Sequence, residues 1–347
     1  MENKKTILWG LGLIAALSVL SLGAEGLAGA TGQTLLMTVL KKGTVYALLV
    51  VSMNLLNGFT GLFSLGQAGF MLIGAYTYAI LTIPVAKRAG VYQYYDGGLV
   101  QFSIPEALSG ILGETVGSVA GMVVTLLICG LLAAFFGWLI GLPVLRLKSD
   151  YLAIATLGFA EIIRTFIQYE SFAPLTNGSN TLRQYPTFKH LYPYVIVVGL
   201  CILFLVLLVN STYGRAFKAI RDDEIAAEAM GINVKYYKTL AMVISAAICS
   251  IAGSIQAAFA TMVSPELFSS TKSIQIFSIV VIGGRMSIKG MILGGCLMTI
   301  LPEVFHSVKD VVGLSFDPWN ILYGLLLVVM MRVRPQGIWG RKEKDEG

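Results

Sequence analysis

The chain has 347 residues, of which 56% are hydrophobic and only 13% are charged, and its mean hydropathy is +0.77. This composition excludes a water-soluble domain of the same size and predicts an all-α polytopic membrane protein embedded in a lipid bilayer. The net charge of +6 does not indicate nucleic-acid binding, because most basic residues flank apolar segments, which is the positive-inside pattern of membrane proteins.

Apolar windows recur along the whole chain, and most reach about 18 residues, enough to cross about 30 Å of hydrocarbon. The first window follows Lys4 and Lys5 and precedes Ala28-Gly29-Ala30, as in a cleavable signal peptide, but its length favours a retained first span. The windows lie at 7–24, 34–54, 62–83, 118–142, 151–169, 192–209, 238–262, 274–301 and 319–333.

The expected topology follows from the positions of the basic residues. Lys4 and Lys5 place the N-terminus in the cytoplasm, and the charged run 213–238 lies there again after the sixth window. The segment Gly283–Gly290 interrupts the window 274–301, and a break there returns the basic C-terminus to the cytoplasm. We therefore expect about ten transmembrane segments, several of them short or broken, with both termini cytoplasmic.

The remaining loops are too short to form a separate domain. The two stretches expected outside the membrane are 84–117 and 170–191, and the second is rich in turn residues. Residues 1–347 are therefore expected to form a single transmembrane domain. Lys41 and Lys42 fit this topology poorly, because they fall in the second window.

The segment Gly58–Gly74 contains five glycines beside a predicted span, together with the polar residues Ser64 and Gln67. Glycine costs up to about 1 kcal/mol per residue inside a helix, so this density needs a physical reason. One interpretation is close helix packing through Gly66 and Gly69. The other is a broken helix whose backbone lines a polar path for solute.

Two charged residues, Glu161 and Arg164, lie well inside the window 151–169. Residues three apart share a face of a helix, so the two side chains are expected to pair. Ionisable groups at membrane depth are costly and usually face the interior of a bundle or a wet cavity. The pair therefore fixes helix packing or takes part in gating and solute passage.

The run 213–238 is the densest charge in the chain and must lie in water at the membrane face. Asp222 and Asp223 can accept the free N–H groups at the start of a short helix, and Gly231 can adopt the left-handed conformation at its end. This helix is predicted to cover about 224–230. A short capped helix on a cytoplasmic loop is typical of a surface that presses against another protein.

Catalytic and metal-binding patterns were not found in the sequence. The two histidines, His190 and His306, fall at predicted segment ends, and no Gly-x4-Gly-Lys-[Ser/Thr] phosphate loop occurs. The sequence therefore predicts neither an enzyme nor a metal site, and any ATP hydrolysis must come from another subunit. The four cysteines fall in apolar windows without metal-ligand spacing: Cys129, Cys201, Cys249 and Cys296.

Several motifs resemble the LivM-type permease of bacterial branched-chain amino acid ABC importers. The resemblance covers about 44–340, with the motifs in the same order and at compatible spacing. The matching motifs are Asn54-Leu-Leu-Asn-Gly-Phe-Thr-Gly-Leu-Phe-Ser-Leu-Gly-Gln-Ala-Gly-Phe70, Leu145-Arg-Leu-Lys-Ser-Asp-Tyr-Leu-Ala-Ile-Ala-Thr-Leu-Gly-Phe-Ala-Glu-Ile-Ile-Arg164, Gly214-Arg-Ala-Phe-Lys-Ala-Ile-Arg-Asp-Asp-Glu-Ile-Ala-Ala227, Val280-Val-Ile-Gly-Gly284 and Arg334-Pro-Gln-Gly337.

This resemblance implies a permease subunit in a bacterial cytoplasmic membrane, paired with a LivH-like second permease. Two cytoplasmic ATPases would use ATP and Mg²⁺, an extracellular or periplasmic binding protein would deliver solute, and this chain would bind no cofactor. The loop 213–238 would carry the ATPase-coupling helix, and Ser64, Gly66, Gln67, Gly69, Glu161 and Arg164 would serve the translocation path or packing. The residues expected in coupling are Arg221, Asp222, Asp223, Glu224, Ala226, Ala227 and Gly231.

Two alternatives to this function stay open from the sequence. Importers of urea and short-chain amides share most of the motifs, so the resemblance constrains the substrate less than the family. A stand-alone secondary transporter driven by an ion gradient also lacks a phosphate loop, although a capped cytoplasmic helix favours a docking partner.

Overall fold

Long apolar helices dominate the computed structural model, which describes residues 2–31, 34–95, 97–147, 149–188, 190–284, 286–312, 319–334 and 337–339. Within these residues the two strands, β1 (Leu182–Arg183) and β2 (Met262–Val263), form one short antiparallel pair. A π-helix, Leu55–Thr60, continues the second helix, and 3-10 turns cover Glu170–Phe172 and Pro265–Phe268. The α-helices are α1 (Glu2–Thr31), α2 (Thr34–Asn54), α3 (Gln67–Thr82), α4 (Val85–Val91), α5 (Ile104–Leu112), α6 (Glu114–Val144), α7 (Ser149–Gln168), α8 (Ala173–Thr176), α9 (Tyr192–Asn210), α10 (Thr212–Asp222), α11 (Glu224–Ala229), α12 (Val234–Ala260), α13 (Ser270–Gly283), α14 (Ile288–Val312) and α15 (Trp319–Val333).

Six helical segments in the described ranges are long and apolar enough to cross a membrane, as expected for an all-α multi-pass membrane protein. Two further apolar segments, in α13 and α15, are shorter. The count of about ten segments and the cytoplasmic placement of both termini stay predictions. The six long segments are Thr6–Gly26, Met37–Thr60, Val116–Val144, Tyr151–Gln168, Tyr192–Asn210 and Val234–Ala260.

The predicted break in the window 274–301 is confirmed, because α13 ends at Gly283 and α14 begins at Ile288. The turn between them contains Met286, whose φ of 69° is left-handed. Arg285, within this turn, lies outside the described residues, as does the basic tail from 340 onward.

Short polar side chains cap the starts of α10 and α12. The Asn233 side chain accepts the N–H of Tyr236 at 3.1 Å and so caps the start of α12. The Ser211 hydroxyl accepts the N–H of Tyr213 at 3.2 Å at the start of α10. Each cap satisfies a backbone donor that has no partner within its helix.

Contacts between Cα atoms divide the chain into two compact units. The first unit comprises Met1–Gly61, His190–Ile232 and Gln275–Gly347. In it α2 packs against α14 and α9, and α1 packs against α9. The Lys42 ammonium pairs with Glu303 of α14 at 2.6 Å. Lys42 fitted the predicted topology poorly, and this pair provides it with a partner of opposite charge.

The second unit comprises Leu62–Lys189 and Asn233–Ile274, and α12 packs there against α3 and α6. The helices meet through small residues. A β-carbon on Gly74 of α3 would overlap the carbonyl oxygen of Ser250, and one on Gly253 of α12 would overlap that of Met71. Such approaches bring two backbones together and explain glycines inside these helices.

The first part of the predicted external stretch 84–117 folds around a buried arginine of the second unit. The Arg88 guanidinium is 2% exposed and donates to the carbonyls of Ile80, Val100 and Phe102 at 2.6 to 2.8 Å. Burial raises the pKa of nearby Tyr92 to about 12, so its hydroxyl stays protonated and donates to the Leu175 carbonyl at 3.0 Å. These bonds fix the loop without a separate domain.

Candidate functional site

The capped helix predicted in the charged run is present as α11. The Asp223 carboxylate accepts the N–H groups of Ile225 and Ala226 at 2.9 and 3.0 Å. Gly231 closes the turn after the helix with φ of 83°. The prediction of a short helix with an aspartate cap and a glycine end is therefore confirmed.

The capping role predicted for Asp222 is wrong. The helix α10 runs up to Asp222, so the free N–H groups of the next helix begin one residue later, and Asp223 alone caps them. The Asp222 carboxylate instead accepts from the Arg221 Nε at 2.9 Å. Sequence reasoning assigned this charged stretch to a loop and did not predict α10, which ends at Asp222.

Most of α11 faces outward. Among its six residues only Ala227 is buried, whereas Glu224, Ala226 and the remaining positions are exposed. Ile225 is 81% exposed, and Met230, immediately after the helix, is 83% exposed. A short helix that exposes large apolar side chains beside charged ones is better suited to contact with another protein than to contact with water alone.

The helix α10 contacts the π-helix Leu55–Thr60. Arg221 Nη1 lies 3.4 Å from the carbonyl oxygen of Gly58 and also contacts the sulfur of Met286. Lys218 Nζ lies 5.9 Å from the centre of the Phe59 ring. Arg221 therefore joins the loop to a segment that directly continues α2.

Glycine and asparagine give the π-helix its close contacts. A β-carbon on Gly58 would overlap the side chain of Asn54, which is fully buried and accepts the N–H of Met286 at 3.3 Å. Gly61 ends the segment with φ of 72°. Single π-turns inside α-helices often occur at functional sites, and only the glycines at 58 and 61 marked this one in the sequence.

The glycine-rich candidate residues lie in the second unit, where they pack against α7. A β-carbon on Gly66 would lie 3.0 Å from the Thr156 carbonyl oxygen, and one on Gly69 would lie 2.8 Å from the Ala160 Cα. The Ser64 hydroxyl accepts the Gly66 N–H at 3.4 Å. These approaches support the packing interpretation for Gly66 and Gly69.

Gln67 begins α3 and is fully buried. Its Nε2 donates to the Ser245 hydroxyl of α12 at 3.1 Å, and its Oε1 has no hydrogen-bond partner among the described side chains and backbone. Sequence reasoning missed the serines of α12 that meet α3 and α6. The Ser250 hydroxyl donates to the Cys129 carbonyl at 2.8 Å, and the Ser254 hydroxyl donates to the Gly74 carbonyl at 3.0 Å.

The expected pairing of Glu161 and Arg164 is confirmed. Arg164 Nε and Nη2 each lie 2.7 Å from Glu161 Oε2. The second carboxylate oxygen, Oε1, accepts the N–H of Ser270 at 2.9 Å and so ties α7 to the start of α13. The Arg164 and Glu161 side chains are nevertheless 29% and 32% exposed.

The histidines and cysteines do not gather into a site in the part of the chain that the structure describes. No three His, Cys, Asp or Glu side chains lie close enough there to hold a metal ion. His190 pairs with Glu25 at 3.1 Å, whereas the side chain of His306 lies outside the described residues.

Comparison with known proteins gives a single family. The family described as "Branched-chain amino acid transport system / permease component" matches residues 35–331. The chain is 33% identical over 329 residues to the high-affinity branched-chain amino acid transport system permease protein LivM of Escherichia coli K12, covering 85% of this chain and 67% of the relative.

Two other relatives extend this comparison. Identity is 24% over 314 residues to a probable LivM permease protein of Methanocaldococcus jannaschii, covering 85% of this chain and 90% of that protein. The chain is also 24% identical over 320 residues to the LivH permease protein of Escherichia coli K12, and the match covers 88% of this chain and 94% of that protein. No solved structure matches the chain.

Proposed function

The chain belongs to the family of branched-chain amino acid transport system permease components, and from this premise we propose that it is the membrane subunit of an ATP-driven importer for leucine, isoleucine and valine. The match across 35–331 carries the proposal, because it spans both the long apolar helices and the charged loop 213–238. The chain itself would not be an enzyme. Paired ATPases would supply the hydrolysis of ATP with Mg²⁺, and an extracellular binding protein would deliver the amino acid.

Coupling would begin at α11. When the ATPases close on ATP, one of them would push on the exposed face of α11 that Ile225 and Met230 display. Because Arg221 contacts Gly58, movement of α10 would reach the π-helix and the end of α2. The membrane segments would then switch between outward-open and inward-open states, as population shift between two conformations requires.

A solute path between two permease subunits is part of this proposal. The Escherichia coli relatives include two different permease proteins of a branched-chain amino acid transport system, LivM and LivH, and this pair supports a heterologous partner for the chain. The binding protein would provide most of the substrate selectivity.

The names of the relatives favour branched-chain amino acids over urea or short-chain amides. A secondary transporter working alone would leave the exposed helix α11 without a role. Neither alternative is favoured by a specific contact in the structure.

The decisive experiment is purification of the tagged chain from its native membrane in a gentle detergent, with mass spectrometry of the proteins that accompany it. We expect two ATPases and a second permease, and ATP-dependent uptake of leucine after reconstitution with the binding protein. A chain that purifies alone, and whose uptake collapses with an ion gradient but persists without ATP, would refute the proposal.

A further inference from the structure

The exposed surfaces of two neighbouring apolar helices, α6 and α7, differ in chemistry. From Val119 to Leu139 the exposed and partly exposed side chains of α6 are all apolar, as suits a surface in contact with lipid. The helix α7 is also long and apolar enough to cross the membrane, over Tyr151–Gln168. Its exposed side nevertheless includes a glycine, a threonine and part of an ion pair. We call this side the α7 outer face and define it as Ile154, Gly158, Glu161, Ile162, Thr165 and Phe166, with Arg164 at its edge beside Glu161.

The ion pair on the α7 outer face is poorly suited to lipid. An 18-residue helix is about 27 Å long at 1.5 Å per residue, and Glu161 lies about 10 Å from the Gln168 end on the same scale. At that depth a charged side chain facing hydrocarbon is costly. Glu161 and Arg164 are nevertheless about one-third exposed, so something more polar than lipid must cover them.

Part of the hydrogen-bonding capacity of this pair is unused among the described residues. A guanidinium group has five N–H donors. In the contacts of the described residues, Arg164 uses its Nε and one Nη2 donor on Glu161. The Arg164 side chain is 29% exposed, so its other N–H donors are available to a carbonyl or side chain of a neighbouring helix.

Gly158 provides a separate reason to expect a neighbouring helix. The inner side of α7 packs on α3 through Thr156 and Ala160. Gly158 takes no part in that packing, because a β-carbon placed there would meet nothing within 4 Å. Glycine inside a helix is unfavourable unless a neighbour uses the space, and membrane helices approach each other closely at such small residues.

We infer that the α7 outer face is the docking surface for a transmembrane helix of the second permease subunit. The inference rests on the proposed function, which requires such a partner. A neighbouring permease helix can approach Gly158 closely and can also present acceptors to Arg164, whereas lipid acyl chains offer Arg164 no acceptor. A different, homologous permease is favoured over a second copy because the Escherichia coli relatives include both LivM and LivH.

The first test uses two phenylalanines of nearly equal exposure as sites for a photoreactive benzoylphenylalanine. Phe166 on the α7 outer face is 56% exposed, and the control Phe135 on α6 is 54% exposed. After irradiation of native membranes, position 166 is expected to form a crosslink with the second permease, and position 135 is expected to form none. The crosslinked partner is identified by mass spectrometry.

The opposite outcomes are equally specific. Crosslinking at 166 to lipid alone would overturn the inference, as would a crosslink to a second copy of this chain. Equal crosslinking at 166 and 135 to the second permease would also overturn it. Co-purification of the ATPases is measured on the same samples. If the ATPases co-purify but position 166 forms no crosslink with the second permease, the proposed docking surface is wrong and the proposed importer is retained. If they are absent, the proposed function itself fails.

The second test fills the space at Gly158. A β-carbon at position 158 meets no described atom within 4 Å, but the side chain of Gly158→Leu would block a closely packed helix. We therefore expect roughly tenfold less second permease in the pull-down, corresponding to ~1.4 kcal/mol. Gly12→Leu is the control, because Gly12 on α1 is also exposed with open space around it. Full recovery with Gly158→Leu, or equal loss with both variants, would contradict a specific contact at α7.

Discussion

The helices α3 and α11 differ in how much of their surface is buried. In α3, of sixteen residues, nearly every position is buried, and Gly69 and Gly74 allow neighbouring backbones to approach. In α11 only Ala227 is buried, and the rest of the helix is displayed. Changes in α3 should therefore damage the chain itself, whereas changes in α11 should leave it folded and damage only its partnership with other subunits.

The largest effect is expected for Gly74→Leu, because the new side chain would overlap the Ser250 backbone, which cannot move away as a flexible side chain could. Overpacking of this kind costs about 1–3 kcal/mol or more. We expect loss of the monodisperse peak in fluorescence-detected size-exclusion chromatography and a much lower Tm in detergent. Gly324→Leu is the control, since Gly324 on α15 is exposed with open space. A stable Gly74→Leu protein would mean that the two helices do not pack as closely as described.

The next largest effect is expected for Ile225→Asp, which places a charge on the displayed side of α11. ATPase recovery and ATP-driven uptake should each fall by roughly tenfold or more, as for loss of an interface anchor, while the Tm stays unchanged. The matched control is Tyr94→Asp, because Tyr94 is 78% exposed on a loop expected outside the membrane, against 81% for Ile225. Normal coupled uptake with Ile225→Asp would remove α11 from the docking surface.

A smaller effect is expected for Asp223→Ala, which removes the cap that accepts the N–H groups of Ile225 and Ala226. Loss of such a cap costs about 1 kcal/mol, confined to the short helix. Amide hydrogen exchange over 224–229 should accelerate and uptake should fall a few-fold, without change in the Tm. Asp223→Asn retains an acceptor and should behave as the parent. If the alanine and asparagine variants behaved alike, the cap would not matter.

The smallest effect is expected for Gln67→Leu, in the buried helix. The substitution loses one hydrogen bond, to Ser245, but also removes an amide oxygen with no partner among the described residues. These changes offset each other, so the free energy of unfolding should change by less than about 1 kcal/mol. Leucine uptake should be retained. Uptake that is lost while the Tm is kept would instead place Gln67 on the solute path.

The sequence predicted best the features that depend on near neighbours. The cap at Asp223 and the pairing of Glu161 with Arg164 involve residues two or three positions apart, where helix geometry alone decides the contact. The break after Gly283 was likewise marked by local glycines. Family membership, too, could be recognised from motifs of consecutive residues.

The contacts that sequence reasoning missed join residues far apart in the chain. Arg221 reaches Gly58 across 163 positions, and Gln67 reaches Ser245 across 178. No periodic pattern specifies such a pair, because each helix offers several faces of similar hydropathy when nearly all its residues are apolar. The error at Asp222 arose differently, from two adjacent aspartates that were equally plausible caps.

The close contact of α3 with α12 limits how the second unit can change shape. Gly74 lies against the Ser250 backbone, Gly253 lies against the Met71 backbone, and Ser254 bonds the Gly74 carbonyl. No layer of side chains separates the two helices at these points, so sliding or rolling one along the other would drive peptide groups into each other. In a transport cycle the two helices must therefore move together as one rigid body. Any bending of this unit must occur in segments outside α3 and α12.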